Sequence, residues 1–319
     1  MATADRRIAV LGLGLIGGSL LRCLAAGGAT VIGYDADPAS VEAARAAGCD
    51  ATGDPAELWA PEVVVIATPA PAVAEMLDLT AAIQPAPIVT DVVSVKAAVR
   101  RLVSGRAPGL RYVGGHPMAG TEHSGFAAAD PGLFSGAPWV LCLDEDTEID
   151  AWLTVAAMAT AADARVVPAT SDRHDAAVAT ISHVPHLLAA ALSTSAAADP
   201  LALALAAGSF RDATRVMQTR PDLVAAMCAG NTAAVRAALG DVVRRLDELD
   251  ASLPNAARLE ATFARAHAVR TAWPASERTA SSHLEVTGPT LRSDLIALGE
   301  SGGWVESVDS DNLTVVSTA

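Results

Sequence analysis

At 319 residues the chain has room for two domains and a short tail, at about 150 residues per domain. Hydrophobic residues make up 51% but aromatics only 3%, so Ala, Val and Leu must build its cores, with many helices packed close together. A formal charge of −14 excludes a nucleic-acid partner, whose phosphates an acidic field would repel; no run of about 18 uninterrupted apolar residues or signal-peptide layout points to a membrane.

The four cysteines, Cys23, Cys49, Cys142 and Cys228, have neither paired nor metal-ligand spacing, as expected of reduced thiols in a cytoplasmic protein. The first predicted element is an apolar strand, Arg6 to Leu11, running into Gly12-Leu13-Gly14-Leu15-Ile16-Gly17 and then a helical pattern. A second strand, Thr30 to Tyr34, ends in Asp35. In that context the glycines read as a dinucleotide fingerprint: Gly12 for a tight turn, Gly14 for backbone approach to a pyrophosphate, and Gly17 for helix–strand packing. The amides opening the helix at Leu15 and Ile16 would meet the phosphates. Asp35 is placed to accept ribose hydroxyls, and with Ala36 and Asp37 following it no cation awaits a 2′-phosphate, which favours NAD over NADP. A structural glycine turn in an unrelated α/β domain is the alternative.

A helix from Asp37 to Ala47 precedes a buried strand, Glu62 to Pro69, whose β-branched run suits a parallel sheet covered on both faces. Thr68-Pro69 closes it at the carboxyl edge, where a nicotinamide would lie. The strand Pro87 to Asp91 leads through Ser94 and Lys96 into a helix, Ala97 to Ser104. Ser94 is either the N-cap of that helix, a participant in the chemistry, or both. Leu110 to Val113 then runs into Gly114-Gly115-His116-Pro117, read as a strand ending in a constrained loop. Pro117 disfavours helical backbone at His116, holding the imidazole on extended chain, either as an active-site base or as a hydrogen-bonded buried histidine. A strand from Ala137 to Asp144, a helix from Glu148 to Ala162 and a strand from Ala164 to Pro168 complete the alternation, which predicts an α/β, Rossmann-type doubly wound parallel sheet over residues 1–170.

From 171 to 275 only helical periodicity is present, predicting an all-helical domain. His183 and His186 share a helix face beside a Pro185 kink, but no carboxylate or cysteine completes a metal site. Arg211 and Arg215 flank Asp212 and are open to a plain salt-bridged reading. Helices this rich in Ala and Leu expose apolar faces that a second copy would cover, predicting a homodimer. After a break from Trp273-Pro274 to Ser282, residues 276–319 predict a short βαββ appendage, about half of a ferredoxin-like regulatory module, either a truncated effector domain or a packing flap.

Together the glycine fingerprint, Asp91-x-x-Ser94-x-Lys96, Gly115-His116-Pro117-Met118-Ala119-Gly120-Thr121-Glu122, His174-Asp175 with Ser182-His183-x-Pro185-His186, and Phe210-Arg211-Asp212-x-Thr214-Arg215 resemble the prephenate and arogenate dehydrogenases over residues 6 to 270. The resemblance implies a nucleotide-binding domain followed by a helical dimerisation domain with the active site in the cleft between them, and NAD-dependent oxidative decarboxylation of prephenate, arogenate or both. His116 would then accept the C4 hydroxyl proton, Ser94 hold the geometry and also meet the cofactor, and Arg215 clamp a substrate carboxylate. His183 would lie near the substrate side chain, with Gly120 and Thr121 lining the site and Glu122 meeting the amino group of arogenate. Tyrosine is a candidate effector, and the sequence leaves feedback by it open. Relatives often read Ser-Asp-Pro and an aromatic downstream of the arginine; here Thr219-Arg220-Pro221-Asp222-Leu223-Val224 lacks that aromatic. Two rivals share the nucleotide fold: a β-hydroxyacid dehydrogenase, which usually carries a catalytic lysine on the helix where Asp172 to Leu192 has none, and a non-catalytic NAD sensor.

Overall fold

The computed structural model describes residues 6–121, 123–273 and 278–318. They fall into two compact units, Met1–His174 with Thr279–Thr318, and Asp175–Arg278. The first opens with β1 (Arg7–Leu11), α1 (Leu15–Ala26), β2 (Thr30–Tyr34), α2 (Pro38–Ala46), β3 (Ala51–Thr52), β4 (Val63–Ile66), α3 (Val73–Ala81), β5 (Ile88–Asp91), α4 (Ala97–Arg106) and β6 (Arg111–Val113). The six strands form one parallel sheet in the order β3-β2-β1-β4-β5-β6. Successive side chains of a strand point to opposite faces, so the unbroken apolar run of β4 feeds two cores. Val63 and Val65 join one with Leu20, Trp139 and Leu295, while Val64 and Ile66 join another with Leu77, Val99 and Val103. The strand order reverses direction between β1 and β4, which is where ligands bind in open α/β sheets.

The single doubly wound sheet expected through residue 170 needs correcting. The chain leaves the first sheet at Val113 and, one residue later, enters a second with β7 (Gly115–Pro117), followed by β8 (Pro138–Cys142), α5 (Ile149–Ala161) and β9 (Arg165–Ala169). β8 and β9 pair in parallel and β7 runs antiparallel to β8. A βαβ unit looks the same in sequence whichever sheet it joins, so alternation alone could not separate the two.

The C-terminal βαββ segment forms as β10 (Arg278–Glu285), α13 (Leu291–Glu300), β11 (Trp304–Val308) and β12 (Asn312–Thr318). It completes the second sheet, ordered β10-β12-β11-β9-β8-β7, with Val305 of β11 opposite Val166 of β9. Arg292 donates to the backbone oxygens of Asp144 (2.6 Å) and Thr147, and Leu291, Leu295 and Leu298 are buried in the core shared with Trp139. The appendage is therefore part of the first unit. Its expected linker from Trp273-Pro274 is cut short by β10, which starts at Arg278, and 274–277 lie outside the described residues.

Through Ala272 the regular elements of the second unit are helices alone among the described residues, as its periodicity predicts. α6 (Ser171–Val178) passes through a π-helical turn, Ala179–His183, into α7 (Val184–Ala197), followed by α8 (Pro200–Ala204), α9 (Gly208–Thr214), α10 (Pro221–Gly230), α11 (Thr232–Asp250) and α12 (Ala256–Ala272). The irregularity expected at Pro185 lies in the turn just before it: proline lacks an N–H and crowds the carbonyl four residues back, and the chain widens there. Its buried apolar core is small, comprising Ala179, Val184, Val235 and Ala238. Ser171–Ala197 is the described helix long and apolar enough, by length and composition, to cross a membrane.

Candidate active site

The glycine turn has the geometry its spacing implies. Gly12 has φ +101°, and a Cβ there would lie 2.8 Å from the Ala67 carbonyl carbon. A Cβ on Gly17 would stand 1.9 Å from the Gly12 oxygen, so only glycine lets α1 pack this close to the turn. Gly14 is different: nothing lies within 4 Å of where its Cβ would be. It caps α1 without a side-chain hydrogen bond, and the first turn carries no acidic residue. The first in-helix bond runs from Gly18 N to Gly14 O at 2.8 Å, leaving the amides of Leu15, Ile16 and Gly17 ahead of it for an anion.

Asp35, at the end of β2, is pinned toward this turn: its Oδ2 accepts from Leu13 N at 2.7 Å and its Oδ1 from Asp37 N at 2.9 Å. A carboxylate accepts about four hydrogen bonds, so it keeps capacity for two ribose hydroxyls. Thr68, just beyond β4, buries a hydroxyl that has no hydrogen-bond partner among the described residues, and Pro69 fixes the backbone after it. An open anion cradle, an oriented carboxylate and an orphaned hydroxyl at the switch point fit a bound dinucleotide.

His116 occupies the middle of β7, opposite Val140 of β8, so it stands in a short strand and not in the expected loop. Its Nδ1 lies 2.8 Å from Nε2 of His174, which is 3% exposed in the first turn of α6. Beneath β7 is a buried ionic network. Lys96 pairs with Asp91, both 0% exposed, and Lys96 Nζ also donates to the Gly115 carbonyl at 2.6 Å. Asp91 Oδ1 accepts from Val93 N at 2.8 Å and Oδ2 from the Tyr112 hydroxyl. Burial, then the Asp91 carboxylate, hold the Tyr112 phenol well above its usual range. Ser94 is half-buried in the turn before α4, whose N-cap is Lys96 and not Ser94. Gly120 and Thr121 are exposed, with Thr121 Oγ1 accepting from His123 N at 3.2 Å, and Glu122 lies outside the described residues.

In the helical unit His183 is 1% exposed at the end of the π-helical turn. Its Nδ1 stands 3.4 Å from Asn231 Nδ2, which donates to the Asp175 carbonyl at 2.7 Å. His186 buries an Nδ1 with no hydrogen-bond partner among the described residues, and desolvation lowers its pKa. Among the described residues no three His, Cys, Asp or Glu side chains gather as a metal site requires. Arg215 begins a 3-10 turn after α9, exposed, and no ion pair forms between Asp212 and either Arg211 or Arg215 among the described residues, so the plain salt-bridged face is not realised. Reading by spacing assigned no role to His174 or to the Asp91–Lys96–Tyr112 network. The Asp91…Lys96 interval was visible as a motif, but His174 stands 58 residues from His116 and nothing local links them.

A parallel sheet in this order, with an uncapped glycine-rich helix start and a carboxylate after the second strand, defines a nicotinamide-dinucleotide oxidoreductase unit, here followed by a helical one. "Prephenate dehydrogenase, nucleotide-binding domain" matches residues 21–168 and "Prephenate dehydrogenase, dimerization domain" residues 170–264. A Corynebacterium glutamicum structure provisionally named prephenate dehydrogenase is 38% identical, with TM-score 0.84, covering 93% of this chain and 98% of its own. Synechocystis arogenate dehydrogenase is 32% identical (TM-score 0.76, 83% and 99% covered), and A. aeolicus prephenate dehydrogenase, solved with hydroxyphenyl propionate and NAD+, is 25% identical (TM-score 0.77, 83% and 97% covered). The chain belongs to the prephenate dehydrogenase family.

Proposed function

We propose that this protein catalyses NAD+-dependent oxidative decarboxylation of prephenate to 4-hydroxyphenylpyruvate, of arogenate to tyrosine, or of both, as a cytoplasmic homodimer paired through its helical unit. The observation that carries the reading is His116, held on a short strand by a buried network, in the same unit as a cradle that fits a dinucleotide. When bound, NAD+ accepts a hydride from ring carbon C4. His116 takes the proton of the C4 hydroxyl as that hydride leaves. The ring carboxylate then departs as CO₂, the electron pair of the broken bond completes the aromatic ring, and the C4 oxygen takes back the proton held by His116 to give the phenol. A positioned base of this kind contributes about 10²–10⁴ in rate.

The remaining roles follow the family pattern. Gly12, Gly14, Leu15, Ile16, Gly17, Asp35, Thr68, Pro69 and Ser94 serve the cofactor, Arg215 clamps a substrate carboxylate through paired charge-assisted hydrogen bonds, and His183, Gly120 and Thr121 line the substrate. Glu122 is the specificity residue, meeting the amino group that arogenate has and prephenate lacks. Formation of reduced nicotinamide with each substrate, against NADP+ as control, tests the reading. Turnover of neither substrate would overturn it, and equal rates on both would remove the specificity role of Glu122. The same assay with added tyrosine tests that amino acid as an effector.

A further inference from the structure

Building on that function, we propose that His174 is a positioning residue that sets the tautomer in which His116 can act as a base. The rings meet edge to face, with centroids 5.1 Å apart and planes at 76°, and bring His116 Nδ1 to 2.8 Å from His174 Nε2. Two imidazole nitrogens this close share one proton, because two lone pairs or two N–H groups would repel. In one arrangement His116 donates from Nδ1 and carries its lone pair on Nε2, as a base must. In the other His174 is the donor, and His116 carries its proton on Nε2, where it can give a proton but not take one.

The first arrangement serves both ends of the step. Before proton transfer it presents the lone pair, and afterwards the imidazolium of His116 still donates through Nδ1 to a neutral acceptor. A carboxylate usually fills this role in hydrolytic triads. A neutral imidazole does so without adding negative charge beside an anionic substrate. His174 is built to hold still. Its backbone N–H donates to the Thr170 carbonyl at 2.9 Å, its side chain is buried, and the backbone N–H of the neighbouring Ser171 donates to Asp144 Oδ1 at 2.9 Å while the Ser171 hydroxyl donates to Oδ2.

His174→Gln and His174→Leu separate this from simple packing, since glutamine can offer an amide oxygen near the Nε2 position and leucine offers bulk alone. Steady-state kinetics of the full-length enzyme and ¹⁵N-histidine NMR of substrate-free protein are the two readouts. His174→Leu is expected to lower kcat about 10–100-fold with the KM for NAD+ held within about twofold, and His174→Gln to recover most of the loss. The NMR spectrum should show the wild-type His116 proton on Nδ1. A wild-type proton on Nε2, a wild-type kcat in His174→Leu, or equal impairment of the two variants would overturn the proposal. Failure of the wild type to turn over either substrate would instead count against the function, and the tautomer measurement would still judge this pair.

Discussion

At the scale of single residues, the glycines separate folding from binding. Gly17→Ala drives a Cβ into the Gly12 carbonyl and should cost about 1–3 kcal/mol by denaturant titration, as overpacking does. Gly14→Ala meets no protein atom and should leave that stability unchanged while raising the KM for NAD+. The contrast fails if both variants unfold alike. His116→Asn should lose about 10²–10⁴ in kcat yet bind NAD+ normally by calorimetry, an outcome that also disfavours a mere NAD sensor. Lys96→Met would leave the Asp91 carboxylate buried without its cation, a loss of about 3–5 kcal/mol in unfolding free energy. Cys142, whose thiol burial pushes up to about 12, should stay silent to a thiol reagent at pH 8 until the protein unfolds.

At the scale of elements, the two units handle apolar surface in opposite ways. β4 is covered on both faces, and among the described residues no large hydrophobic of the first unit is exposed. All thirteen exposed large hydrophobics among the described residues lie in the helical unit, among them Ile181, Leu205, Val243, Leu246 and Phe263. A unit with so small a core of its own gains stability by covering these faces with another chain, in keeping with a family match named for dimerization. Val243 and Leu246, three apart on α11, are 46% and 48% exposed. Changing both to Glu should shift the protein from dimer toward monomer in light scattering; an unchanged dimer would place the interface on other helices.

For the whole molecule, the decisive feature is that the C-terminal segment is part of the N-terminal unit. Removing residues 279–318 would strip β11 from β9, expose Val166 and Trp139, and release the loop that Arg292 holds at Asp144 and Thr147. The truncated chain should be insoluble or should unfold at much lower denaturant than the full one. A soluble, fully active truncation would show instead that the segment is dispensable.

What the sequence determined by itself was local: the glycine turn and Asp35, the boundaries of β2, the burial of β4, and the all-helical stretch after residue 171. These depend on backbone sterics and on hydrophobic period, which act over a few residues. Partnerships across long separations were decided only by the tertiary structure. Alternating strands and helices could not reveal that β7 starts a second sheet, nor that residues 279–318 would return to complete it. Composition could not show Lys96 buried under Gly115, and no spacing rule brings His174 against His116. Such contacts are chosen by how whole layers pack, because burying a charge or an imidazole is tolerable only where the assembled fold supplies its partner.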